Sequence, residues 1–198
     1  SKFDCIIISP GIDINKCSLK KYLKKNLKKI YTDLDIFFSS YVKNKKITIT
    51  GTNGISTTTR ILYEVLRDQN FDVRIVGNIG NPILLEKDIT SKTIFIIEAS
   101  SYQLEYSKLF RSNISVILNI SPDHLERHKT LKKYIKAKFK LVKNQKKKDY
   151  AILNINNFYI KKEIKLQKFL PKLIKVEKRI DVKILKKINN PYFETDSN

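Results

Sequence analysis

Three short stretches of this 198-residue sequence carry the side chains best suited to chemistry, and each follows an apolar run. The first is Ile47-Thr48-Ile49-Thr50-Gly51-Thr52-Asn53-Gly54-Ile55-Ser56-Thr57-Thr58. A β-branched run that enters a glycine-containing loop and then a helical stretch can turn backbone N–H groups toward an anion. The helix N-terminus adds its dipole, and Ser56 or Thr57 can offer a hydroxyl to Mg²⁺. The G-x-x-G spacing is tighter than in the common phosphate-binding loop, and Ile55 stands where that loop carries lysine. A strand–helix turn with a Ser/Thr cap would give the same pattern without a ligand.

The second stretch, Thr93 to Glu105, is an apolar strand ending in Glu98 and then Ser100, Ser101, Tyr102 and Gln103. The third, Ile114 to His128, empties into Asn119, Asp123 and both histidines of the chain, His124 and His128. In a parallel sheet the C-terminal ends of all strands face one edge, where such folds bind ligands. The Gly51 loop, Glu98 and His124 are therefore expected on one rim, where a carboxylate could hold Mg²⁺ beside a phosphate. Glu98 could equally be a helix N-terminal acid. Asn78, in Gly77-Asn78-Ile79-Gly80, would reach the same rim, or merely serve a turn. Lys138 lies in a lysine-rich helix and reads as solvent-facing.

The elements that must position these residues alternate. Short strands are expected at 47–50, 73–76, 93–97, 114–118 and 150–153, and helices at 56–68 and 131–142. That alternation predicts an α/β fold with a largely parallel sheet. Upstream, Asp4-Cys5-Ile6-Ile7-Ile8 reads as a strand ending at Ser9-Pro10-Gly11, and residues 16–30 as an amphipathic helix bearing Leu19, Tyr22, Leu23, Leu27 and Ile30 on one stripe. A break at Lys43–Lys46 suggests a boundary. Past residue 158 the composition collapses into Lys, Ile, Leu and Asn without glycine.

Composition bounds the rest. At 41% apolar the chain can build a core, so wholesale disorder is excluded. No apolar run is long enough for a membrane span, and the opening Ser1-Lys2-Phe3-Asp4 lacks a signal-peptide layout. A cytoplasmic protein is expected, with Cys5 and Cys17 as reduced thiols. The net charge of +21 invites a nucleic-acid partner, but residues 47–128 hold 8 Lys or Arg against 9 Asp or Glu, leaving 32 basic and 10 acidic residues to the flanks. The excess is 34 Lys to 6 Arg among 30 Ile, which fits compositional bias better than phosphate or base readout, where the planar arginine fork is favoured.

The residues above, with Ser9-Pro10-Gly11-Ile12, Glu98-x-Ser100-Ser101-Tyr102-Gln103-Leu104-Glu105, Asn119-x-x-x-Asp123-His124 and Tyr134-x-x-Ala137-Lys138, make the chain resemble the Mur ligase family of peptidoglycan synthesis over residues 3–157. Gln103, where the branch adding the third residue carries histidine, favours the D-glutamate-adding branch. The resemblance implies a P-loop-type, mostly parallel sheet flanked by helices, preceded by the end of a Rossmann-like domain. Its domains would be 1–44, the end of a UDP-binding unit; 45–157, an incomplete ATP-binding unit; and 158–198, a lysine-rich tail. It implies an ATP-dependent ligase that joins D-glutamate to UDP-N-acetylmuramoyl-L-alanine through an acyl phosphate, acting as a monomer. Gly51, Thr52, Asn53, Gly54, Ser56 and Thr57 would bind ATP. Ser9, Asn78, Ser100 and Gln103 would contact the UDP-sugar. Glu98, His124 and Lys138 would be catalytic and, with Ser56, hold Mg²⁺, Lys138 as a carbamate.

Two departures stand against that picture. Ile55 replaces the family's phosphate-binding lysine, and losing one preorganised charge from a transfer site typically costs about 10²-fold or more in rate. Asn156-Asn157 occupies positions where acidic residues are usual. Family members are also much longer, so the sequence reads as an internal fragment or a decaying copy. An inactive remnant and a basic nucleic-acid-binding protein are the alternatives.

Overall fold

Runs of four to six residues rich in Ile and Val, apolar on both faces, are suited to strands covered on both sides. In the computed structural model, which describes residues 3–177, they form one sheet. Its strands are β3 (Lys45–Thr50), β4 (Val73–Gly77), β5 (Ile94–Glu98), β6 (Ile114–Ile117), β7 (Tyr150–Asn154) and β8 (Lys172–Val176). They lie in the order β4-β5-β3-β6-β7-β8, and every neighbouring pair is parallel. Ile49, Phe95, Ile96, Ile97 and Ile117 are fully buried.

Parallel neighbours require crossovers, and helices supply most of them. α3 (Ile55–Asp68) links β3 to β4, α4 (Ser101–Tyr106) and α5 (Leu125–His128) leave β5 and β6, α6 (Leu131–Lys143) precedes β7, and α7 (Phe158–Leu166) joins β7 to β8. One core gathers Val76, Phe95, Ile97 and Leu104 with Leu34 and Phe37 of α2 (Asp33–Ser40). A second gathers Ile117, Leu153, Tyr134, Phe139, Val142 and Ile160. The mostly parallel α/β architecture expected from the sequence is thus the one observed.

Before this sheet, β1 (Ile6–Ile7) and β2 (Ile30–Tyr31) pair in parallel over a small core of Ile8, Ile14, Leu23 and Ile30. The helix expected over residues 16–30 is shorter: α1 spans Lys20–Lys25, a single 3₁₀ turn follows at Leu27–Lys29, and Ile30 is already strand. The stripe continued in sequence, but Ile30 must extend to pair with Ile6. The break expected at Lys43–Lys46 runs two residues into β3, which starts at Lys45. Lys46 is buried there, its ammonium donating to the Tyr41 and Asn44 carbonyls, and burial, with Arg111 adding repulsion, pushes its pKa down to about 8.

The layered sheet also continues past residue 157, where no motif signals it. β8 pairs with β7 from Tyr150↔Lys172 to Asn154↔Val176. The remainder of the expected tail, residues 178–198, lies outside the described residues.

Candidate functional site

The C-terminal ends of β3, β4, β5 and β6 open onto one rim, as parallel pairing demands. Register places Gly77 opposite Glu98, Glu98 opposite Ile49, and Thr50 opposite Ile117. The loop after β3 therefore runs beside the residues leaving β5 and β6.

That loop is held by a side chain from the next strand. Asn119 Oδ1 accepts from the N–H groups of Thr52 and Asn53 at 3.0 and 2.9 Å, and its Nδ2 donates to the Asn53 carbonyl at 2.9 Å. Gly54 then adopts a left-handed conformation, φ 76°, which a side chain rarely tolerates, and α3 begins. The first-turn N–H groups of α3 have no intrahelical acceptor and carry the positive end of the helix dipole. Ser56 and Thr57 in that turn are exposed. Ile55 is half-buried at the first helical position, and Arg60 turns away to pair with Glu64 at 2.9 Å.

Glu98 closes β5 with 3% exposure. Its Oε1 accepts from Asn78 Nδ2 at 2.7 Å, while Oε2 is buried without a hydrogen-bond partner among the described residues. Gly77 permits this approach: at φ 108° an added Cβ would lie 2.3 Å from the Glu98 carbonyl oxygen. Beside the pair is a cavity of about 510 Å³ lined by Pro10, Gly11, Gly77, Asn78, Ser100, Ser101, Tyr102, Gln103 and His124. Ser100 caps α4 in a reciprocal box with Gln103, so both side chains are fixed where the helix starts.

Lys138 is a correction. Expected in solvent, it is 2% exposed, its ammonium donating to the Gly51 carbonyl and, at 3.3 Å, to Thr50 Oγ1, with the Tyr134 ring 4.8 Å away. Periodicity among the neighbouring lysines argued for solvent, but in the structure Lys138 shares the buried face of α6 with Tyr134, Ala137 and Leu141. Burial lowers its pKa to about 8, although Asp123 opposes the shift.

The two histidines separate. His124, at φ 50°, keeps an exposed ring 3.4 Å from the Asp123 carboxylate and 3.7 Å from that of Glu126. His128 is buried, its Nε2 3.0 Å from Ser101 Oγ and its ring between those of Tyr102 and Tyr134. Burial, followed by repulsion from Arg127, lowers its pKa to about 4, so it is neutral at pH 7.

Of the residues singled out from the sequence, Asn78, Ser100, Gln103 and His124 line one cavity, with Glu98 bonded to Asn78 at its edge. Gly51 to Gly54, Ser56 and Thr57 form the neighbouring loop and helix start, and Lys138 reaches that loop from beneath. Ser9 is exposed and does not line the cavity, which its neighbours Pro10 and Gly11 do. Among the described residues no three His, Cys, Asp or Glu groups converge on one metal-sized centre. Sequence reasoning gave no role to Asn119 or Arg127, whose partners here are mainly backbone groups that no motif marks.

Comparison with known proteins agrees with this geometry. The Mur ligase middle domain matches residues 49–196. The UDP-N-acetylmuramoylalanine--D-glutamate ligase of Rickettsia bellii is 41% identical over 156 residues, 79% of this chain and 34% of that protein. The enzyme of the same name from Caldicellulosiruptor bescii is 39% identical over 153 residues, 77% of this chain and 33% of that protein. The chain thus spans about a third of the length of these curated relatives. Two solved structures share the fold. The UDP-N-acetylmuramate:L-alanyl-gamma-D-glutamyl-meso-diaminopimelate ligase of Neisseria meningitides has a TM-score of 0.60 at 15% identity, over 88% of this chain and 58% of that one. A MurF ligase of Thermotoga maritima in complex with ADP has a TM-score of 0.55 at 16% identity, over 87% and 47%. A parallel sheet with a glycine loop at its rim, in a chain matched by the middle-domain model over residues 49–196 and by relatives of about 40% identity, places this protein in the Mur ligase family.

Proposed function

We propose that the chain serves an ATP-dependent ligase of peptidoglycan synthesis, adding D-glutamate to UDP-N-acetylmuramoyl-L-alanine through an acyl phosphate, in the cytoplasm and as a monomer. The observation that carries this reading is the single rim where the Gly51 loop, Glu98, Asn78 and His124 meet. The names of the relatives support the choice of amino acid.

The residues fit the cofactors. Glu98 Oε2, buried and unpartnered among the described residues, suits a divalent cation, and the open first turn of α3 suits phosphate. When bound, ATP supplies the phosphoryl group that activates the substrate carboxylate, and Mg²⁺ neutralises its charge. Ser56 and Thr57 then offer hydroxyls beside the helix N–H groups, and Asn78 holds the Glu98 carboxylate in one orientation. His124 lines the cavity that takes the UDP-sugar, contacted there by Asn78, Ser100 and Gln103, while Ser9 stands outside it. Lys138, with a pKa of about 8, presents enough neutral amine to add CO₂ and lose a proton, becoming a carbamate ligand.

Calorimetry tests the reading. UDP-N-acetylmuramoyl-L-alanine and Mg²⁺-ATP are expected to bind, and Ile55→Lys to tighten ATP by about tenfold, by restoring a charge-assisted contact. Absence of binding by either folded form overturns it. Ile55 also favours a second reading, a chain that keeps the fold and binding rim without turnover. ADP formation dependent on D-glutamate excludes that reading.

A further inference from the structure

Arg127 neither lines the cavity nor belongs to the Gly51 loop, yet its side chain is only 7% exposed. Its guanidinium donates to the carbonyl of Ile12 at 2.7 Å and to those of Pro10 and Gly11 at 3.4 Å. From the other side Nε donates to Glu105 Oε2 at 3.0 Å, and the plane stacks on Tyr102 and Tyr106, 5.1 and 5.9 Å away. Four hydrogen bonds and two ring contacts from one planar fork thus join three segments: the loop after β1, helix α4, and α5, which begins just after His124. Two of the three carbonyls belong to Pro10 and Gly11, which form one wall of the cavity.

Among the described residues little else holds the loop there. Ile12 N–H donates to the Ser9 carbonyl within the loop, a Cβ built on Gly11 meets nothing within 4 Å, and the next buried anchor is Ile14. We propose that Arg127 is a positioning residue: it draws the Pro10–Ile12 loop onto α4 and so builds the wall against which the nucleotide-sugar substrate rests. This rests on the ligase reading for the identity of the ligand, but the clamp itself does not. A lysine could not replace it, because a single ammonium cannot face three carbonyls and Glu105 together.

The test is hydrogen exchange of the loop amides in the whole chain, read beside calorimetry with Mg²⁺-ATP and with UDP-N-acetylmuramoyl-L-alanine. In Arg127→Ala, exchange at the Ile12 amide is expected to rise at least about tenfold, sugar-nucleotide affinity to fall by a similar factor and ATP affinity to stay unchanged. Arg127→Lys should lie between, and serves alone if the alanine variant does not fold. Unchanged loop exchange in a folded variant overturns the proposal, as does an equal loss of ATP affinity, which would mark a general structural role. Faster loop exchange, with no sugar-nucleotide binding by wild type or variant, supports the clamp and removes the ligase reading instead.

Discussion

The two halves of the sheet bury similar apolar sets but are fastened differently. Around β4 and β5, Leu34, Phe37, Phe95 and Phe110 pack with Phe37 and Phe95 edge to face at 4.7 Å. A buried carboxylate ties that half to the segment before it. Asp35 Oδ1 accepts from Ser107 Oγ and from the N–H groups of Lys108, Leu109 and Phe110 at 2.7–3.0 Å, and Oδ2 from the Thr32 N–H at 3.1 Å. Around β6, β7 and β8 most fastenings are neutral amides: Asn154 donates to the Leu118 carbonyl, Asn157 to that of Ile120, and Gln145 to those of Ser112 and Tyr150, while the one buried carboxylate among them, Asp149, accepts a single backbone N–H, from Lys146, and pairs with Arg111. A buried charge that satisfies several backbone donors is costly to lose, because each donor is stranded. A neutral amide such as Asn154 strands one, and carries no charge. The first half should therefore be brittle and the second tolerant.

The sharpest way to break this comparison is Asp35→Ala. It should cost about 3–5 kcal/mol, seen as a lower urea midpoint, because the N–H groups of Thr32, Lys108, Leu109 and Phe110 all lose their acceptor. A loss below about 1 kcal/mol would mean that the loop after α4 finds other partners.

At the junction of the halves, His128 predicts a pH dependence. An unfolded imidazole takes up a proton near pH 6.5, while the folded one resists until about 4. Protons therefore favour the unfolded chain in that window, and stability falls as pH drops through it, by up to about 3 kcal/mol. His128→Gln, which can still meet Ser101, should flatten the dependence when midpoints at pH 7 and pH 4.5 are compared. Parallel curves would rule out the neutral buried imidazole as the cause.

In the second half, Asn157→Ala removes a bond to Ile120 and the cap on Ile160 N–H, for an expected loss of about 1 kcal/mol. Smallest of all, Lys175→Ala on the exposed side of β8 should stay within about 0.5 kcal/mol in the same urea series. A larger loss there would show that the lysine-rich edge is more than a solvated face.

Much of the fold was legible because strands buried on both faces leave a continuous apolar signature. Ile94 to Ile97 and Ile114 to Leu118 announce themselves. β8 was missed because Lys172-Leu173-Ile174-Lys175-Val176 mixes charge with apolar residues, and only pairing with β7 makes it a strand. At the site, Gly51, Gly54, Glu98 and Asn78 were legible from residue type and from their place after a strand. Lys138 was misread because neither its type nor its period sets it apart from the neighbouring lysines, and only packing against the Gly51 loop puts it beside Tyr134 on the buried face.

By itself, the sequence determined the parallel α/β order, the glycine-bearing turn between β3 and α3, and the family. Apolar period and glycine placement are properties of residue type, and so survive in one dimension. Only the tertiary structure decided that Arg127 grips the Pro10–Ile12 loop, that Asn119 holds the loop at Thr52 and Asn53, and that Asp35 receives the turn at Lys108–Phe110. Their partners are chiefly backbone carbonyls and N–H groups. Nearly every residue carries these, so no side chain in the sequence can point to them.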